Sequence, residues 1–231
     1  MPTEAEEPTT QLWLPLADRL VLLIGAPLLG GGLGLLLPSL ADWLTGLPWV
    51  PMRGPFELVA SFEGRWVGSA FGGLGLLAGL VLVVVAFATS LKVTLTDSRV
   101  ELEKNDTRWG IDRAVVDAVF MDGKRLVILD RESRQLLRDT SEEKPADVAR
   151  AFAAHGYPWA EADPYAELYR RWVPGTPEVP GAVNALLKAR EVALEKKASA
   201  DIAELREEVE KLGFAVRDEA TRQYWRPLVR S

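Results

Sequence analysis

The spacing of hydrophobic positions changes character twice along this chain. From Leu20 to Leu37 the residues read LVLLIGAPLLGGGLGLLL, and from Val67 to Leu91 VGSAFGGLGLLAGLVLVVVAFATSL, with no charge in either run. Beyond Ser90 the period drops to two: Leu91, Val93 and Leu95 alternate with Lys92, Thr94 and Thr96. From Gly181 onward apolar residues recur every three or four positions, the spacing of a helix with one buried face. The pattern therefore predicts two apolar helices, a run of strands and a helical hairpin.

A bilayer core about 30 Å thick is crossed by roughly 20 helical residues. The second run is long enough alone. The first reaches that length if Leu14, Leu16 and Ala17, or Ser39 to Leu44, share the interface, with Asp18 and Arg19 at its edge. Trp43, Trp49 and Trp66 flank the runs, where amphipathic rings prefer the headgroup level. The leader MPTEAEEPTT is acidic, whereas a cleaved signal sequence needs a basic one. Two retained membrane helices are expected, Pro27 kinking the first. Arg53 and Arg65 lie between the runs, and Lys92, Arg99, Lys104 and Arg108 follow the second. The bias of basic residues toward the cytoplasm places both termini there, on a multi-pass protein of the cell membrane.

Gly64, Gly68 and Gly72 recur at four-residue spacing, as do Gly75 and Gly79, which sets small residues on one helix face. Packing of the two helices, or of two chains into a homo-oligomer, is the expected use. Gly30, Gly31, Gly32 and Gly34 are not a phosphate loop, since no strand precedes them and no Lys-Ser or Lys-Thr follows. No ionisable residue lies deep in either run, so transport by this chain alone is not expected.

In the period-two region, turns fall at Asp97-Ser98, Asn105-Asp106 and Asp122-Gly123, with strands filling Leu91 to about Leu137. Pro145 opens a helix with Val148, Ala149, Phe152 and Ala153 on its apolar face, and Gly156 ends it. Residues 157–180 are rich in proline and read as a semi-rigid connector. Tyr157, Trp159, Tyr165, Tyr169 and Trp172 would pin it to a neighbouring domain. The stripes Leu186, Leu187, Arg190, Leu194 and Ile202, Leu205, Val209, Leu212 then pair as helices. Gly213 stops the second, and Phe214, Val216, Tyr224 and Trp225 suggest a terminal β-ribbon.

Charge and composition narrow the chemistry. The chain has a net charge of −6, one histidine and no cysteine. An acidic balance argues against non-specific coating of nucleic acid. Thiolate catalysis, disulfides and Cys-ligated zinc are excluded, and His155 alone makes no metal site. It is expected to hydrogen-bond a carbonyl at its helix end. Asp112, Asp117, Asp122 and Asp130 have no spacing that assigns acid and base roles. No catalytic residue, cofactor or metal is predicted.

The short strands closed by one helix, directly after two membrane helices, resemble bacterial pleckstrin-homology-like (PH-like) domains. The stretch from Ala185 to Pro227 resembles the C-terminal anticodon-binding extension of cysteinyl-tRNA synthetases. Its matching positions are Arg190, Ala193, Lys197, Ala200, Asp201, Leu205, Arg206, Val209, Gly213, Asp218, Trp225 and Arg226. The chain departs from that pattern at Ala220 to Gln223, where the synthetases carry a Thr-Pro-Gln-Gly turn. The whole arrangement, with Tyr-Pro-Trp at 157–159 and Asn-Ala-Leu-Leu-Lys-Ala-Arg at 184–190, resembles the YqeB-like membrane proteins of bacteria.

These likenesses imply a tail at 1–15, a two-helix membrane region at 16–91, a PH-like α+β domain at 92–156, a linker at 157–180 and an αα-β module at 181–231. They imply a fold and an address rather than a reaction. The function expected first is a non-catalytic scaffold in the lipid bilayer that presents both modules to a cytoplasmic protein. The alternative is a membrane-tethered RNA-binding protein, with tRNA as the ligand. In that reading Arg217, Arg222, Arg226 and Arg230 with Tyr224 and Trp225 supply phosphate contacts and stacking surfaces, and Arg190, Lys197 and Asp218 are further candidates for binding RNA or a partner.

Overall fold

Two uncharged runs become two long helices, as a chain that must satisfy its own backbone in an apolar setting requires. The computed structural model describes residues 8–45, 54, 62 and 66–229. Trp49, Arg53, Gly64, Arg65 and Arg230 lie outside the described residues. Helix α1 spans Leu16–Thr45 and runs unbroken through Pro27 and Pro38. Helix α2 spans Val67–Thr89. Both are long and apolar enough to cross a membrane, and Leu, Val and Ile side chains along them are largely exposed.

The described chain forms two bodies. In the first, α1 packs against α2 through glycines. A Cβ at Gly30 would collide with the backbone of Gly75, and one at Gly75 with that of Gly30. Gly34 abuts the Phe71 carbonyl and Gly79 the Ala26 carbonyl just as closely. Gly72 faces Leu35 of the other helix, while a Cβ at Gly68 would stand 3.9 Å from the Leu35 carbonyl, an ordinary contact. The glycines of α1, excluded above as a phosphate loop, are the counterpart of those on α2. Backbone-to-backbone approach of this kind is how apolar helices associate without a hydrophobic drive.

The second body holds three sheets, except that Lys92 and residues 103–107, at the β3–β4 turn, belong with the helices. Strands β1 (Thr10–Leu12), β2 (Lys92–Leu95), β3 (Arg99–Lys104) and β4 (Thr107–Asp112) form one, in chain order. Strand β1 falls in the expected tail, yet it pairs antiparallel with β2, Leu12 opposite Val93 and Thr10 opposite Leu95. The two apolar helices are thus inserted, in sequence, between neighbouring strands. A second sheet contains β5 (Val116–Asp122), β6 (Arg125–Asp130) and β7 (Gln135–Thr140). Its first hairpin turns at Gly123 and Lys124, one position later than expected, with Gly123 at φ 63°. Helix α3 (Pro145–Ala154) follows, opened by Pro145 and ended at Gly156. Phe120, Val127 and Leu129 are fully buried in this domain.

Residues 157–180 are packed rather than extended as a spacer. Trp159 bridges to Val119, and the Tyr157 hydroxyl donates to the Thr96 carbonyl at 2.9 Å. Arg170–Arg171 is a strand, β8, against β10 (Arg222–Pro227), which also pairs with β9 (Phe214–Glu219). Helices α4 (Gly181–Lys196) and α5 (Ser199–Lys211) cover one face of this third sheet. Their shared core is Trp172, Val179, Val183, Leu187, Val209, Val216 and Trp225. Asn184 holds the end of the connector: its Oδ1 accepts from Trp172 Nε1 at 2.9 Å, and its Nδ2 donates to the Val179 carbonyl at 2.8 Å.

Candidate functional site

Successive side chains of a strand point to opposite faces. On β10, Gln223 and Trp225 therefore face the α4–α5 pair, and Arg226 faces the strand domain. All three are buried.

Arg190 lies on the apolar stripe of α4, at helical spacing from Leu187 and Ala193, and is 1% exposed. Its guanidinium grips both oxygens of Asp218 on β9, with Nη2 to Oδ2 at 2.7 Å. Nη1 also donates to Gln223 Oε1 at 3.1 Å, and Gln223 Nε2 donates to the Leu187 carbonyl at 2.8 Å. A planar fork matched to a carboxylate is the arrangement in which a buried arginine is best satisfied.

Arg226 is fully buried on the other face. Its Nη1 donates to Ser133 Oγ and its Nη2 to the Ser133 carbonyl, both at 2.8 Å. Ser133 Oγ also accepts the Val229 backbone N–H at 2.8 Å. The guanidinium carbon lies 4.7 Å from the Tyr165 ring centre and 5.3 Å from that of Tyr169. Arg217 covers the Tyr169 ring at 4.7 Å and the Tyr224 ring at 5.7 Å, and pairs with Glu219 at 3.3 Å. The stacking faces of these arginines are thus taken by the chain's own connector.

Beside them, Gln135 Nε2 donates to the Val216 carbonyl at 3.3 Å and to the Tyr169 hydroxyl at 3.4 Å. Burial pushes the Tyr169 phenol up, and Arg226 opposes it. Glu210 at the end of α5 is buried, and loss of water drives its carboxyl up to about 7, against the pull of Arg206 and of the Gln135 backbone N–H. Desolvation moves the Arg206 guanidinium down, with Glu210 opposing.

Arg190, Trp225 and Arg226 are buried, each engaged by packing or bonds inside the chain. Lys197 is exposed, and it ends α4 in the left-handed conformation, φ 56°. Arg222 is exposed, Arg217, Asp218 and Tyr224 are half-buried, and Ala220 turns the ribbon at φ 55°.

His155 departs from expectation as well. Its Nδ1 lies 2.7 Å from Asp97 Oδ1 and its Nε2 2.8 Å from Thr10 Oγ1. Since a carboxylate only accepts, the Nδ1–H donates to Asp97. The ring ties β1 to the β2–β3 turn instead of capping a carbonyl.

One concave surface remains in the C-terminal module. A recess of about 430 Å³ has Phe214 and Trp225 as its floor and Glu167, Leu168, Arg170 and Glu178 at its rim.

Comparisons with known proteins place both regions. Residues 10–160 match the YqeB-like bacterial PH domain, a span that includes β1 and both apolar helices. Residues 176–226 match the cysteinyl-tRNA ligase anticodon binding domain. A Bacillus subtilis (strain 168) protein named "Uncharacterized protein YqeB" is 40% identical over 200 residues, covering 86% of this chain and 83% of its own. No solved structure matches. With its PH-like domain and anticodon-binding-like module in this order, the chain belongs to the YqeB-like family of bacterial PH-domain proteins.

Proposed function

We propose that this protein is a non-catalytic adaptor anchored in the cell membrane by α1 and α2, with the PH-like domain and the αα-β module serving as one rigid platform for a cytoplasmic protein. The carrying observation is Arg226. This residue, one of those the RNA reading uses, is buried against Ser133 and two tyrosines, and its guanidinium bonds one module to the other. Two further features agree. One matched family is described as a PH domain and the other as a ligase's anticodon binding domain, and neither description gives that domain a reaction. The pairing of β1 with β2 is compatible with a double crossing, which returns the chain to the side it left.

The test uses the full chain purified in detergent. Filter binding to tRNA should be weak at low salt, with a shallow dependence on salt concentration. A steep negative slope, lost on Arg222→Glu, would overturn the adaptor reading in favour of RNA. On the positive side, a stoichiometric protein recovered by crosslinking in its own membranes should be lost with Leu168→Glu, at the rim of the recess, while the melting temperature is kept.

A further inference from the structure

The end of the helical hairpin holds a recess built from groups of both charges. Ser90 closes α2, its Oγ donating to the Ala86 carbonyl at 2.7 Å. The β3–β4 turn folds back onto this end: the Asn105 N–H donates to the Ala88 carbonyl at 2.8 Å. Asn105 and Asp106 hold left-handed conformations, φ 51° and 59°, which makes the turn tight. Between turn and helix lies a recess of about 290 Å³, lined by Trp13, Phe87, Ser90, Lys92, Lys104 and Asp106 among others.

Trp13 comes from the segment just before α1. Its ring meets Phe87 edge to face, with centres 5.5 Å apart. Above it stand the Arg19 guanidinium at 4.2 Å and the Lys92 ammonium at 5.8 Å. The Trp13 Nε1–H is buried and has no acceptor among the described residues. Buried donors are nearly always paired, so an orphan donor on the wall of a recess points to an absent acceptor. Lys92 also lies 3.7 Å from Glu103.

Lys92 and Lys104 in the lining, Arg19 beside them on the Trp13 ring, and an unpaired N–H suit a phosphate. Two carboxylates in the same recess suit an ammonium, and they would repel a ligand that is only anionic. The recess also sits where both apolar helices end, the depth that tryptophan and lysine share with headgroups. We propose that it binds the phosphoethanolamine headgroup of a membrane lipid. The phosphate would take Trp13 Nε1–H and the cations Lys92, Lys104 and Arg19; the ammonium would take Asp106 and Glu103. A phosphocholine group carries no N–H for the carboxylates, and a phosphoglycerol group brings no cation to meet Asp106. The assignment rests on the membrane reading given above.

The experiment titrates the full chain in detergent with dioleoyl phosphatidylethanolamine, phosphatidylglycerol or phosphatidylcholine and counts retained lipid by native mass spectrometry. The ethanolamine lipid should be retained in preference to both others. Trp13→Phe keeps the ring and removes the donor, and should weaken that retention about tenfold. Asp106→Asn, on the exposed turn, should erase the preference over phosphatidylglycerol without altering the melting temperature. Equal retention of all three lipids overturns the proposal, as does an unchanged Asp106→Asn protein. Competition by soluble glycerophosphoethanolamine at lipid-equivalent concentration overturns the lipid source. A carbonate wash of native membranes reports separately: release of the chain sinks the membrane reading, whereas retention without lipid preference sinks this site alone.

Discussion

Ser133 and Arg226 lie 93 positions apart in the chain and share two hydrogen bonds of 2.8 Å, with neither residue exposed to water. Ser133 is held at φ 58° in the turn between β6 and β7, so the strand domain offers Arg226 a preformed carbonyl and hydroxyl. Replacing Ser133 by Ala removes one acceptor and leaves Arg226 Nη1 and the Val229 N–H short of a partner. A loss of about 2 kcal/mol is expected from two groups left incompletely bonded, and Arg226→Met should lose about 3 kcal/mol. Chemical unfolding of the two single variants and the double variant measures it. Strict additivity would show that the contact does not couple the modules.

Asp218 grips the buried guanidinium of Arg190 with both carboxylate oxygens. Asp218→Ala leaves that charge buried without its counterion, a change worth about 3–5 kcal/mol. The thermal midpoint of the solubilised chain should fall steeply. An RNA contact role for Asp218 predicts a stable variant instead, and the melting curve separates the two.

Glu210 gives the protein a definite pH response. Its folded carboxyl titrates near 7, above the usual 4.5, so the folded state holds a proton that the unfolded state releases first. Stability from this group is therefore full below about pH 4.5 and declines as pH rises toward 7, by up to about 3 kcal/mol. Glu210→Gln should remove that decline and make the protein more stable at pH 8 than the parent. A parallel pH profile for parent and variant would mean that Glu210 ionises normally.

The chain lacks cysteine, so an introduced pair reports cleanly. A Cβ at Gly31 would stand 3.7 Å from the Leu76 Cβ, inside the range that a disulfide bridges. Gly31→Cys with Leu76→Cys should crosslink within one chain on mild oxidation. Adding Gly75→Val, which meets the Gly30 backbone, should abolish the crosslink. Dimers on a denaturing gel instead of a faster monomer band would place the close approach between chains.

Much of this architecture was legible in the spacing of apolar residues, because long runs and strict alternation follow from burial alone. The helices, the hairpins from β2 to β6 and the αα pair are of this kind. Strand β1 was not: Thr-Gln-Leu is too short to show a period, and only its pairing with β2 identifies it. As RNA contacts, Arg190 and Arg226 are expected at the surface, because charge normally stays in water. For Arg190 the sequence held a contrary sign, since the residue sits on the stripe with Leu187, and a charge in such a stripe calls for a buried counterion. Arg226 held none. Its burial arises because the third sheet is covered on both faces, which depends on a serine far away in the chain.

Because Thr10–Leu12 pairs with a strand that begins only at Lys92, sheet completion would, in the membrane reading proposed above, double as a check on insertion. The two strands meet after a closure of roughly 80 residues, an entropic toll that grows only slowly with length. A chain that placed one helix across the bilayer and not the other would strand β1 on the far side. It would leave β2 an open edge, the feature that invites aggregation. The shortest strand in the first sheet thereby distinguishes a correctly threaded chain from a half-threaded one.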